Sequence, residues 1–166
     1  SARTSKNAGI PSLNVCMNCH KNISAVADTT ATAEYSKAFY DAQIQKLYDA
    51  VGWDKSMQKY TGKSQPVKWV RIHNLQDFAY FNHSQHVTVG GIECQKCHGP
   101  VQEYEIQKQV APLTMGWCIN CHRETNVKME GNAYYEKIHA ELSKKYGKDK
   151  LTVSDMGGLE CGKCHY

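Results

Sequence analysis

No run of 18 or more apolar residues occurs anywhere in the 166-residue chain, so no stretch of it can cross a bilayer as a single helix. The opening SARTSKNAGIP has no apolar h-region, so the chain carries no signal peptide, as would also hold for a mature or trimmed protein. Lysine and arginine form no stripe. The densest basic run, Lys144 to Lys150 (KKYGKDK), reads as a solvated helix end. With no aromatic interleaving and no nucleic-acid-binding motif, the formal charge of +4 does not point to nucleic acid as a partner. Aliphatic residues are thin for a chain of one ordinary domain, or two very small ones, and phenylalanine occurs only three times. An ordinary apolar core is therefore short of material. Finally, no cysteine lies outside four short motifs.

Those motifs are CMNCH (Cys16, Cys19, His20), CQKCH (Cys94, Cys97, His98), CINCH (Cys118, Cys121, His122) and CGKCH (Cys161, Cys164, His165). Two thiols three positions apart can add to the two vinyl groups of one haem, and the next residue then lies under the iron. A histidine there supplies the proximal ligand, so C-x-x-C-H reads as c-type haem attachment. Two other readings use the same thiols: four-thiolate zinc sites, and disulfides or redox-active dithiols. Neither requires histidine directly after the second cysteine. With 8 histidines in 166 residues, about one in 21, four such neighbours arise by chance in roughly one case in 200,000. The sequence thus predicts four covalent haem c groups.

Four porphyrins supply apolar surface that the chain lacks. The expected fold is mainly α with much irregular structure, short helices and long connections around a haem core. The terminal CGKCH is then pinned by two thioethers and an iron ligand. Eight propionates add roughly −8 and four ferric centres roughly +4 to the formal charge, leaving the loaded protein near neutral. The sequence pI is no guide to a partner.

Each haem iron needs a second axial ligand or keeps an open position. Four histidines lie outside the motifs: His73, His83, His86 and His139. His83 and His86, in FNHSQHV, are three apart and share one face of a helical turn, a spacing that lets them serve two neighbouring haems. His139 borders an amphipathic stripe of Tyr135, Ile138, Leu142 and Tyr146, so ligation competes there with core packing. His73, in KWVRIHNL, is the weakest candidate. The expected assignments are His83 to the Cys94–Cys97 haem, His86 to the Cys118–Cys121 haem and His139 to the Cys161–Cys164 haem. Met115 reads as a packing residue beside Trp117 rather than a thioether ligand.

An internal repeat is present. GIPSLNVCMNCHK (9–21) parallels VAPLTMGWCINCHR (110–123), and each copy is followed by a tyrosine-rich amphipathic helix. The first of these helices carries Tyr35, Phe39, Ala42, Leu47 and Val51 on one face. The expected modules are 1–65, holding one haem, and 66–166, holding three. The unit FNHSQH…CQKCH precedes only the second copy. Either the duplication is partial or the chain begins inside the first unit; the second is expected, with the distal ligand of the Cys16–Cys19 haem in a preceding segment and His73 spare.

The stretches WVRIHNLQDFAYFNHSQHVTVGGIECQKCHGPV, PLTMGWCINCHRET and GGLECGKCHY resemble the pentahaem c-type cytochrome subunit of bacterial alternative complex III, a quinol oxidoreductase, and the likeness covers most of the chain. It implies a multihaem cytochrome c of class III (c7-like) modules. It also implies a fifth haem and a histidine pair ahead of residue 1, neither of which this sequence contains. The partners implied are an iron–sulfur subunit, quinol-binding membrane subunits and a monohaem cytochrome c, on the periplasmic side of a bacterial cytoplasmic membrane. Covalent haem attachment of this kind is also expected outside the bacterial cytoplasm, where C-x-x-C pairs left unprotected would be oxidised. Electrons from quinol would pass through the haems to a monohaem carrier or terminal oxidase, without bond chemistry in this subunit. The competing functions are a free periplasmic electron shuttle and a multihaem reductase. A reductase needs an open iron and nearby acid–base groups, and no motif here replaces its histidine by lysine.

Overall fold

Four helices begin where a side chain can take over an orphan backbone N–H. The computed structural model describes residues 1–25 and 35–165. In it Ser12 caps α1 (Leu13–His20), Ser36 caps α2 (Lys37–Val51), Thr114 caps a helix at Met115–Glu124, and Asn132 caps one at Ala133–Tyr146. Between them lies α3 (Cys94–His98), one turn long, so the capped pair further along the chain is α4 and α5. The first longer helix stops at Gly52, whose φ of +68° suits a residue without Cβ. A Cβ at Gly52 would also stand 2.8 Å from the Lys63 carbonyl oxygen. The protein is mainly helical with much irregular structure, as its sequence predicts.

Residues 10–70 form one unit, and residues 1–9 with 71–166 form another. The division falls at 70/71 rather than at 65/66. In addition, the first nine residues join the later unit, because backbone bonds tie them there. The His83 N–H donates to the Lys6 carbonyl (3.0 Å) and the Ser84 N–H to Ser5 (3.2 Å), while the Thr88 hydroxyl donates to Arg3 (2.6 Å).

In the unit of residues 10–70, α1 lies against α2. Met17 and Tyr48, each 1 % exposed, form the centre with Val51 and are flanked by Leu13, Ile44, Leu47 and Trp53. The buried stripe of α2 therefore runs through Ile44, Tyr48 and Val51. Phe39, expected on the buried face, is exposed; Tyr35 precedes the helix. The Tyr48 hydroxyl donates to the His20 carbonyl (2.7 Å), fastening the end of the first motif to α2. A two-residue antiparallel hairpin follows, β1 (Trp53–Asp54) with β2 (Lys59–Tyr60), Trp53 opposite Tyr60.

In the other unit, the connection 151–158 is stitched to the end of α4. Val127 N–H donates to Leu151 O and Val153 N–H to Thr125 O (both 2.9 Å), and Ser154 N–H donates to His122 O (2.9 Å). Residues 79 and 165 form a lone antiparallel bridge, and the Tyr80 N–H donates to the Cys164 carbonyl (2.7 Å). The last motif is thereby fixed to the segment leading into FNHSQH.

Buried apolar side chains are few. Among the described residues they are Met17, Tyr48, Val51, Ala111 and Leu151, whereas Trp69, Val70, Phe78, Ile106, Met115 and Tyr134 are more than half exposed. The chain exposes 12329 Å², whereas a protein of 18.7 kDa ordinarily exposes about 8,300 Å², or about 9,900 Å² as two separate globules of these sizes. Much apolar surface thus lacks protein to cover it.

Candidate functional site

Three of the four C-x-x-C-H motifs lie on helices and the fourth on a single 3-10 turn. The first closes α1, the second is the whole of α3, and the third occupies the middle of α4. The fourth opens with the turn Cys161–Lys163. The two repeat copies share a device at their start: a proline, then a hydroxyl cap (Ser12 or Thr114), then the motif helix. A one-turn helical spacing turns both sulfurs and the following imidazole to one side.

All eight thiols are free of disulfide bonds. Burial, reinforced by Cys121 and Cys118 nearby, pushes the Cys97 thiol up. Burial and the nearby Cys164 and Cys121 do the same to Cys118. Redox-active dithiols need the opposite shift. These neighbour effects also record that the third motif lies within Coulombic reach of both the second and the fourth. Among the described residues no group of three or more His, Cys, Asp or Glu side chains is arranged to hold a metal ion.

The histidines carry the geometry. His20 Nδ1 lies 2.9 Å from the Ile23 carbonyl oxygen and His122 Nδ1 2.9 Å from that of Gly158. His83 Nδ1 lies 3.0 Å from the Lys6 oxygen and His86 Nδ1 2.8 Å from that of Asn82. A carbonyl only accepts, so in each case Nδ1–H donates, and in the neutral ring Nε2 keeps its lone pair. That is the arrangement in which imidazole ligates a metal through Nε2 while an outer group fixes its tautomer. Burial, with a smaller contribution from His122, holds His86 below the usual histidine range, so it is neutral at neutral pH.

The rings of His86 and His122 have centroids 6.2 Å apart and planes inclined by 26°. Two imidazoles sharing one metal between their Nε2 atoms, each about 2 Å from it, would stand about 6 Å apart in the same measure. His86 sits in a π-helical turn, Gln85–Val89, whose widened backbone bonds include Gly90 N–H to Gln85 O (2.9 Å). Phe81 stacks on His86, centroids 4.4 Å apart. Such turns recur at functional positions.

Gly158, which supplies the carbonyl for His122, has no room for a side chain. A Cβ there would overlap the Val153 side chain and stand 2.7 Å from the Val153 carbonyl oxygen. Asp155 holds the same connection by accepting from Lys148 Nζ (2.8 Å) and from the Thr152 N–H (3.0 Å).

The remaining candidates are arranged differently. His98 Nδ1 lies 2.9 Å from His73 Nε2, with the rings perpendicular. Burial, then His73 and His83 nearby, lower the pKa of His98, so His83 is also within reach of this motif. His165 stacks on Phe78 at 5.7 Å. His139 is 7 % exposed. Its Nδ1 meets the Ser143 hydroxyl (3.2 Å) and its Nε2 accepts from the Leu151 N–H (3.3 Å), so both ring nitrogens are engaged within the protein. Met115 is exposed at the start of α4. Trp53 Nε1 is a buried polar atom without a partner among the described residues. Nothing in the sequence marks the Ile23, Lys6 and Gly158 carbonyls as acceptors, because folding brings each near a histidine 3, 77 or 36 residues away.

The donor set therefore fits haem: paired free thiols, adjoining imidazoles with fixed tautomers, and uncovered apolar surface around them. It does not fit four-thiolate zinc. No protein-family model matches the chain, and no curated protein matches it.

Proposed function

We propose that the protein is a multihaem c-type cytochrome whose role is electron transfer. Cys16 and Cys19, Cys94 and Cys97, Cys118 and Cys121, and Cys161 and Cys164 would hold one haem c each, with His20, His98, His122 and His165 as proximal ligands. His86 would share an iron with His122, and His83 with His98. For His139 or His73 to ligate, each would have to leave the hydrogen-bonding partner it now has. The observation that carries the reading is the His86–His122 pair: two imidazoles, each with Nδ1 tied to a carbonyl, with ring centroids 6.2 Å apart, a separation compatible with one shared metal.

When bound, haem iron supplies reversible one-electron chemistry, with a potential set by axial ligand, burial and hydrogen bonding. The chain contributes position and electrostatics. α4 and the Gly157–Gly158 turn fix His122, the π turn and Phe81 fix His86, and the N-terminal segment fixes His83. The neighbourhood of the three motifs in the later unit favours transfer between closely spaced centres. In the two proposed pairs, a second histidine on the iron would leave no open position for substrate, which favours a relay over a reductase.

The finer proposal follows from the sequence resemblance. The relay serves a quinol-oxidising respiratory complex on the periplasmic side of a bacterial membrane, passing electrons to a monohaem cytochrome c or a terminal oxidase. No helix among the described residues is long and apolar enough to cross a membrane, so membrane association would come through partner subunits or a segment outside this sequence.

Intact-mass analysis with a pyridine haemochrome spectrum tests the central claim. Four haems per chain are expected, and a colourless or zinc-loaded protein would refute it.

A further inference from the structure

His20, His122, His83 and His86 all donate Nδ1–H to a backbone carbonyl. His98 does not: its Nδ1 meets the Nε2 of His73 at 2.9 Å, rings perpendicular and centroids 4.4 Å apart. We propose that His73 is a positioning residue for the Cys94–Cys97 haem, the hydrogen-bond acceptor for His98, and not an iron ligand. The inference rests on the haem reading above, because that reading fixes the direction of the bond.

One proton lies between the two nitrogens. If His98 ligates through Nε2, its ring proton is on Nδ1, so His98 donates and His73 Nε2 accepts. Neutral His73 then carries its own proton on Nδ1. Its one lone pair is spent on His98, and nothing is left for a metal. The opposite direction would put a proton on His98 Nε2 and forbid ligation by the motif histidine itself.

The loop 71–77 is built to present this acceptor. Arg71 Nη1 pairs with Asp77 (2.7 Å), and Nη2 donates to the Leu75 carbonyl (2.5 Å). Arg71 Nε donates to the carbonyl of His73 itself (3.4 Å). On the other side the Asn74 N–H donates to Gln109 Oε1 (3.0 Å), and Gln109 Nε2 is anchored on the Ala111 carbonyl (3.0 Å). His73 is held from both sides by its neighbours.

The choice of acceptor has a chemical consequence. An imidazole nitrogen is a stronger base than an amide oxygen and draws the shared proton further from His98. The ligand becomes more electron-donating and stabilises ferric iron. The Cys94–Cys97 haem should thus have a lower potential than it would with a carbonyl acceptor.

The test uses the full-length holoprotein with H73A and H73Q beside wild type. Haem count, ferric spin state, carbon monoxide binding after reduction, and a redox titration are measured on all three. Four haems in wild type uphold the parent reading; fewer would refute it and this inference with it. With four haems present, H73A is expected to show no more high-spin or carbon-monoxide-binding haem than wild type, and one potential should rise while the others stay. H73Q, whose amide oxygen can accept, should return that potential part of the way. Additional high-spin or carbon-monoxide-binding haem in either variant would make His73 a ligand and overturn the proposal. An unmoved set of potentials would overturn it equally. If H73A fails to fold, H73Q alone still separates a ligand from an acceptor by its spin state.

Discussion

Asp155 shows how a single carboxylate can support the candidate site from outside it. The Lys148 ammonium, then the Thr152 N–H and hydroxyl, hold its carboxyl down to about 2, against about 3.9 in an unfolded chain. A depressed folded pKa contributes stability above the unfolded value that is lost as pH falls through the folded one. Acid titration followed by circular dichroism should therefore show a component of destabilisation between pH 4 and 2. In D155N that component should be missing: the variant should be less stable than wild type at pH 7 and should converge with it near pH 2. Unchanged acid profiles would mean the Asp155 cluster does not hold the 151–158 connection. Three residues on, Gly158→Ala forces a methyl group into the Val153 backbone and should cost about 1–3 kcal/mol. Its distinguishing sign is spectroscopic. The electron paramagnetic resonance signal of one haem should change with the haem count intact, because the carbonyl that orients His122 must move.

At the scale of helices, two contacts lend themselves to measurement. Asn132 accepts from the Tyr135 N–H at the start of α5 (3.3 Å), so Asn132→Ala should cost about 1 kcal/mol in denaturant unfolding. Met17, where α1 meets α2, is almost fully buried in a very small cluster, so Met17→Ala should cost about 2–5 kcal/mol. A loss below 1 kcal/mol would mean that this cluster is not what joins the two helices. Much at this scale is legible in the sequence. Ser36 and Gly52 bracket α2, Asn132 and Gly147 bracket α5, and the repeated proline–cap–motif pattern marks α1 and α4. Local signals of this kind are carried by adjacent residues. The stripes were less legible. Tyr48 rather than Phe39 is the buried aromatic of α2, and His139 sits within the buried face of α5 rather than on its border, because each helix has only one small partner surface and that partner selects the rotation. The π turn at Gln85–Val89 and the attachment of residues 1–9 to the later unit depend on contacts tens of residues apart, which periodicity does not encode. At the site, the paired thiols and adjoining imidazoles could be read directly. Which of the four other histidines is satisfied by protein could not, since Leu151, Ser143 and His98 become partners only on folding.

For the whole molecule the deciding quantity is how little apolar surface the polypeptide covers by itself. Five buried apolar residues among those described fall far short of what offsets the conformational entropy of a chain of this length. Haem-free protein, produced without an attachment system, should lack a cooperative thermal transition by circular dichroism, whereas the loaded protein should unfold in one. A cooperative transition in the haem-free chain would contradict the view that porphyrin faces complete the interior. The unit of residues 10–70 contains only the first motif, so a double substitution, Cys16→Ala with Cys19→Ala, should lower the haem count from four to three and leave the other three spectra unaltered.

The nearness of Cys97 to Cys118 and Cys121, and of Cys118 to Cys164, has a consequence for biogenesis. If the motifs carry haem as proposed, a disulfide formed between two of them before attachment would block two attachment sites at once. Maturation would then be a race between ligation and misoxidation. Loading one motif early would shield its neighbours' sulfurs, so the order of assembly would bear on yield as much as on final structure.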